Sequence, residues 1–329
     1  VAAEPVARTI QLAPADERGN PPVITALAID PLGELLAAGG DDHRIHVLRQ
    51  DDLSEVAVLE GHTDWVRSLA FRPDGSLLAS TANDGRLILW KRGTAWRQLQ
   101  AIEGGPALSR VRFSPNGAII GAVGFNPQLF LIGPATSQRP PLECGCNDLR
   151  ALAFSDSNRL VMAAGRTGEL HLFDPTSGAI EGVYAAHRGR VRDGVFLQGT
   201  ETTVTVGEEG VAVVFDGIRR EVIQKIRIPG GKLFAVCQLD ANRLALGGAD
   251  NAIYLIDIER GAVVGQLNGH TGSVGVLAAN PQYLFSGSYD TTIRRWDLET
   301  VLASPRMAEN DGAEAPEVRT SRRSQSQTE

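Results

Sequence analysis

One short pattern returns along the chain at nearly constant spacing. Residues 65–75 read WVRSLAFRPDG, 107–117 ALSRVRFSPNG, 148–158 DLRALAFSDSN and 190–200 RVRDGVFLQGT. A hydrophobic anchor falls at Phe71, Phe113, Phe154 and Phe196, with steps of 42, 41 and 42 residues. Stepping back from Phe71 reaches Ile29. Stepping on from Phe196 reaches Leu239 and then Ala279, giving seven anchors. Self-similarity at such a period means stacked supersecondary units, none of which can bury its own apolar face alone.

Each unit repeats one internal order. An alternating apolar run ends in a turn such as Pro73-Asp74-Gly75, and a small-residue strand, LLAST at 77–81, follows. Then come a tight polar turn, Asn83-Asp84-Gly85, a third strand, RLILW at 86–90, and a fourth strand leading to the next unit. Four short strands per ~40–45 residues, separated by Gly, Asn and Asp turns, form the blade of a β-propeller. The chain has 36 Gly and 17 Pro, roughly 16% together against a usual ~12%, which supplies those turns. The fold expected is all-β, a seven-bladed propeller of four-stranded antiparallel blades. The seventh unit lacks a fourth strand of its own. The segment 6–12 (VARTIQL) alternates like one, so it is expected to close the ring from the N-terminal side. One propeller over 1–303 therefore replaces the two domains that 329 residues would suggest. Residues 304–329, poor in large apolar side chains, read as a disordered tail.

Glu60-Gly61-His62 followed by LILW ending at Trp90, and Asn268-Gly269-His270 followed by IRRWD ending at Trp296-Asp297, resemble the GH and WD signatures of the WD40-repeat family. The similarity covers roughly residues 6–300. It implies a structural hydrogen-bond network joining His62, Ser80, Asp84 and Trp90 in the second unit, and His270, Ser286, Asp290 and Trp296 in the seventh. The fifth unit carries a degraded set, His187, Thr205, Glu209 and Phe215. The first, third, fourth and sixth units lack the full set and are expected to rely on apolar packing. The HTDWVRSLAF segment and the bias of 29 Arg to three Lys (Lys91, Lys225, Lys232) resemble bacterial-type WD repeats, including chains that join such repeats to a cytochrome or kinase domain.

Enzyme constellations are missing from the sequence. It has no G-x-S-x-G elbow and no G-x-x-x-x-G-K-[ST] phosphate loop. His43 and His46, three apart on a strand, point to opposite faces and make poor co-ligands. The three cysteines, Cys144, Cys146 and Cys237, build no disulfide framework and no C-x-x-C site, so free thiols are expected. No catalytic residue, metal ligand or cofactor is assigned. A net charge of −7 argues against a broad grip on nucleic acid, and no apolar stretch reaches the ~18 residues of a membrane span. Val1 rather than Met opens the chain, which fits a trimmed product, whether exported or cut from a longer chain. Cytoplasm and periplasm both stay open.

What remains is binding. Propellers of the resembling family act as rigid platforms, with partners lying across the face made by the loops before each first strand and the second-to-third-strand turns. Projected through the repeat, that face carries Trp65, Arg67, Arg150, Arg166, Arg190, Arg192 and Tyr289, with Arg188 nearby. Arginines of the fourth and fifth units gather there although the chain is acidic. Trp65 and Tyr289 are read as exposed aromatic anchors on adjoining blades. The expected function is a non-catalytic protein–protein interaction scaffold. Its partner would be a protein or peptide, acidic or phosphorylated, with no nucleic acid and no membrane span. The alternative is a propeller enzyme or a module linked to a redox or cytochrome-type partner domain.

Overall fold

The computed structural model describes residues 7–14, 19–133 and 140–303. The tail expected at 304–329 and the first residue of the expected closing segment lie outside them. Within the described residues the repeats form seven four-stranded antiparallel sheets. Six take their strands consecutively from the chain: blade one at 24–60, two at 66–102, three at 108–143, four at 149–185, five at 191–227 and six at 233–267. Blade seven joins Val274–Ala279, Tyr283–Ser288 and Thr292–Asp297 to the strand Arg8–Gln11 from the other end of the chain. Arg8 lies opposite Arg295 and Ile10 opposite Ile293, so the N-terminal strand closes the ring as its alternation requires. A short helix, Leu298–Ala303, follows and buries Leu298 and Val301.

The first strand of each blade touches that of the next around a complete circuit, blade seven against blade one. These strands therefore line a central channel. The second strands are buried along nearly their whole length, and some, such as Leu35–Gly40 and Val161–Gly165, are buried at every residue. The outer strands alternate between exposed and half-buried, as Ile180–Ala185 does, because only one face meets a neighbour. Apolar clusters sit between successive blades. One of them, with Leu12, Ile24, Leu36, Val276, Phe285 and Ile293, seals the junction of blades seven and one.

Two details differ from the sequence reading. The first strand of blade six ends at Gln238, one residue before the anchor placed at Leu239, because its following turn is short. Blade three has a fourth strand of only two residues, Leu142–Glu143, which pairs with Leu129 and Gln128.

In every blade but the third, the tight turn after the second strand carries one left-handed residue. Gly85 fills it with φ of 75°, and a Cβ there would run into the carbonyl of Gly105. His43, Asn251 and Thr291 hold the same place in blades one, six and seven with φ of 68°, 71° and 68°. That turn sets Asp84 and its counterparts one residue earlier, at the rim of the channel face.

Candidate functional site

In blade two, His62 Nδ1 lies 3.0 Å from Asp84 Oδ2, and His62 Nε2 lies 2.8 Å from Ser80 Oγ. Trp90 Nε1 donates to Ser80 Oγ at 2.9 Å, and the Thr63 amide donates to Asp84 at 2.9 Å. One proton arrangement satisfies every group. The indole donates to the hydroxyl, the hydroxyl to Nε2, and Nδ1–H to the carboxylate. Blade seven repeats the chain with His270 to Asp290 at 2.9 Å, His270 to Ser286 at 2.7 Å and Trp296 to Ser286 at 3.0 Å. In blade five His187 bridges Glu209 at 3.1 Å and Thr205 at 2.8 Å, while Phe215 offers no donor. Burial holds the pKa of His62, His187 and His270 below the ordinary value, outweighing the neighbouring carboxylates. The rings are neutral, as the proton chain requires. Asp290 falls to about 2: burial opposes ionisation, but bonds from Thr292, the Thr271 amide and His270 prevail.

The channel face is built by a second repeated device. In every blade the pairing of first and second strands skips one residue: Thr25, Arg67, Ser109, Arg150, Arg192, Phe234 and Gly275. A bulge leaves its extra residue unpaired and re-aims the side chain. All seven bulge residues line one cavity at the channel mouth, together with Arg110, Ser273 and Tyr289.

Aromatic rings hold the bulge arginines flat. Arg67 lies over Trp65 at 4.7 Å, Arg150 over Phe125 at 4.1 Å and Arg192 over Phe234 at 5.1 Å. Carboxylates cross-link part of the set. Asp148 takes Arg150 Nε at 2.5 Å and Arg190 Nη2 at 3.0 Å, and Glu208 takes Arg190 at 3.2 Å and Arg192 at 3.3 Å. The structure thus brings Arg150, Arg190 and Arg192 together, but as a braced group rather than as free rim charges. Arg166 and Arg188 are exposed and do not line the cavity. Trp65 is half-buried under Arg67 rather than exposed, because its ring packs on the guanidinium. Tyr289 is 47% exposed, but it stands on blade seven, separated from Trp65 on blade two by blade one, so the two aromatics do not adjoin. The repeat alignment passed over Phe125 and Phe234. Phe125 holds the position of Asn83 and Phe234 that of Arg67, so an aromatic at those two positions is the signal.

The family model described as "WD domain, G-beta repeat" matches residues 17–48, 53–91 and 261–297, which include the two blades with complete His–Ser–Asp–Trp networks. Together with the seven-bladed ring, this decides the family. The chain is a WD40-repeat β-propeller. WD repeat-containing protein 36 of Homo sapiens is 28% identical over 48% of this chain and 18% of its own length. Nuclear distribution protein PAC1 of Arthroderma otae is 25% identical over 84% of the chain and 59% of its own length. Transducin beta-like protein 3 of Bos taurus is 25% identical over 87% of the chain and 39% of its own. The chain thus spans between 18% and 59% of these relatives. They are eukaryotic, and nothing in them supports the bacterial origin expected from the arginine bias.

Two degenerate blades of the WD40 propeller do not rely on apolar packing alone. Blade one has no His before its first strand. Its turn carboxylate Asp42 is met instead by His46 from the third strand, at 2.8 Å, and His46 also meets Glu55 at 2.6 Å. In blade six Tyr254, at the equivalent third-strand position, donates to Asp250 at 2.5 Å. Blade four has His171 at that position, but its turn offers Thr167 and no carboxylate, and both ring nitrogens lack a hydrogen bond.

His46 titrates in the opposite sense from the other three. Burial opposes its protonation, yet the bonds and charges of Asp42 and Glu55 prevail and raise its pKa. Its stabilisation is therefore complete below the unfolded value near 6.5 and is lost as pH rises through the folded value. The contributions of His62, His187 and His270 are present above 6.5 and are lost as pH falls. The melting temperature should pass through a maximum between these limbs. In His46→Gln the alkaline decline should flatten while the acid decline stays. An unchanged alkaline limb would reject the assignment.

Proposed function

We propose that this WD40 propeller is a non-catalytic scaffold that seats an acidic segment of a partner protein across the channel mouth. The observation that carries the reading is the bulge ring. It aims Arg67, Arg150 and Arg192 into one cavity, each stacked on an aromatic ring, on a chain whose net charge is −7. Pre-ordered guanidiniums lose little side-chain entropy when they bind a carboxylate or phosphate. Arg190 braces the set, Tyr289 adds an exposed aromatic edge, and Arg166 extends the positive rim. WD repeat-containing protein 36 is named for the same repeat. Among the described residues no three His, Cys, Asp or Glu side chains converge as a metal site, and no helix is long and apolar enough to cross a membrane. In this reading the ring of residues up to 303 acts as one module.

Replacing Arg150, Arg190 and Arg192 together with Glu should abolish partner capture from host lysate, read by affinity pull-down and mass spectrometry. The triple Gln variant, which adds no repulsion toward Asp148 and Glu208, should weaken it at least tenfold. Undiminished capture by both variants would sink the assignment of the face.

A further inference from the structure

The cavity at the channel mouth has a volume of about 220 Å³. Its floor is Arg110, which crosses from blade three to donate to the carbonyls of Arg150 and Arg192 at 3.1 and 3.2 Å and to pair with Asp193 at 2.9 Å. Asp193 is already engaged by the amides of Gly194 and Val236. At the mouth, five guanidiniums (Arg67, Arg110, Arg150, Arg190 and Arg192) stand with three carboxylates, Asp148, Glu208 and Asp193, an excess of two positive charges. Arg112, beside Arg110 but outside the cavity lining, bonds only to Ser68 and the Val111 carbonyl among the described residues and removes none of that excess. Arg67 pairs with no carboxylate among the described residues. Its Nε donates to Asn83, and its two η nitrogens have no partner among the described residues. The η nitrogens of Arg150 and the Nε and Nη2 of Arg192 are likewise without partners among the described residues.

We propose that this mouth is a socket for one phosphate monoester. The proposal rests on the reading of the face as a binding surface and adds the chemistry of the group it reads. A phosphate monoester carries a charge of about −1.5 to −2 at neutral pH and three acceptor oxygens. That matches two uncompensated charges and guanidinium forks converging from three blades. A carboxylate brings one charge and two oxygens, and would leave one arginine unanswered. Repulsion inside the socket points the same way. Burial chiefly, then Arg192 and Arg67, depress the pKa of Arg150, and burial with Arg190 depresses that of Arg192. An anion between these groups relieves that strain. The phosphate arrives either on a side chain of the partner or as a free small anion.

Calorimetric titration of the full chain at low salt tests this with four probes: a blocked glycine-flanked phosphoserine pentapeptide, its serine and glutamate counterparts, and inorganic phosphate. The phosphopeptide should bind at least tenfold tighter than the glutamate peptide, with the serine peptide silent. The Arg67→Gln/Arg192→Gln variant should lose at least tenfold. If that variant fails to fold, Arg67→Gln alone, which breaks no ion pair, carries the test. Inorganic phosphate binding as tightly as the phosphopeptide assigns the socket to a free anion, and weaker binding assigns it to a modified partner. A phosphopeptide no tighter than the glutamate peptide, or unimpaired binding by the variant, overturns the socket. Where inorganic phosphate binds more weakly than the phosphopeptide, capture that is lost in the triple Glu variant yet indifferent to phosphatase treatment of the lysate also overturns it, while the face itself stands. Capture indifferent to the triple variants removes the face.

Discussion

Removing residues 1–13 should lower the melting temperature of the ring by on the order of 10 °C. The strand Arg8–Gln11 is the fourth strand of blade seven and pairs with Thr292–Asp297 over four residues. Leu12 just beyond it is 5% exposed and packs in the cluster that joins blades seven and one. Losing a buried Leu alone costs about 2–5 kcal/mol. The deletion also bares the edge of Thr292–Asp297, a row of unpaired backbone groups open to other chains. A total near 5 kcal/mol, spread over a ring of this size, corresponds to roughly 10–20 °C. Calorimetric melts of the 329-residue chain and of the truncated protein decide the matter, and Leu12→Ala should give about half the effect. Identical midpoints would mean that the ring holds without its closing strand.

Asp84→Ala should cost about 3–5 kcal/mol, although it deletes only a carboxylate at a turn. One Asp84 oxygen accepts from His62 and the Thr63 amide, and the other accepts from the Arg86 amide at 2.9 Å. Hydrogen bonds to a charged acceptor contribute about 1.5–3 kcal/mol each, and the buried His62 Nδ1–H would be left without an acceptor. Asp84→Asn keeps one acceptor oxygen and should recover about half the loss. Chemical denaturation of the three proteins measures this. A midpoint for Asp84→Ala within about 1 kcal/mol of the parent would show the network to be dispensable.

The ring and its closure could be read from the sequence because both rest on local rules. Period-two alternation, Gly and Asp turns and a constant spacing all repeat along the chain. The networks of blades two and seven were equally readable, since Ser, Asp and Trp recur at the same offsets behind a Gly-His pair. The replacements in blades one and six were not. His46 and Tyr254 sit where blade two has the apolar Ile88, and only the fold shows that this third-strand position reaches the turn carboxylate. The channel mouth was half-legible. The repeat places Arg67, Arg150 and Arg192 at one register, but the partners that hold them come from other units and other turns. Arg150 is braced by Phe125 from blade three, and Arg192 by Phe234 from blade six. The error over Trp65 and Tyr289 has a simpler cause: they are far apart in sequence, and neighbourhood in a ring runs by blade order, two steps from seven to two.

The seven bulges have a bearing on how such a protein can change. Each mouth residue stands outside the hydrogen-bonding register of its blade, so exchanging its side chain removes no ladder bond. What it can remove is a local tie to a neighbouring blade: Thr25 donates to the Val66 carbonyl and Ser109 to that of Leu149, and Arg150 and Arg192 stack on Phe125 and Phe234. The present set of Thr, Arg, Ser, Arg, Arg, Phe and Gly is one combination among many that the same ring could carry. The strand ladders and the apolar clusters between blades are written at other positions of the repeat, so selection or design can vary the lining of the mouth while leaving both in place.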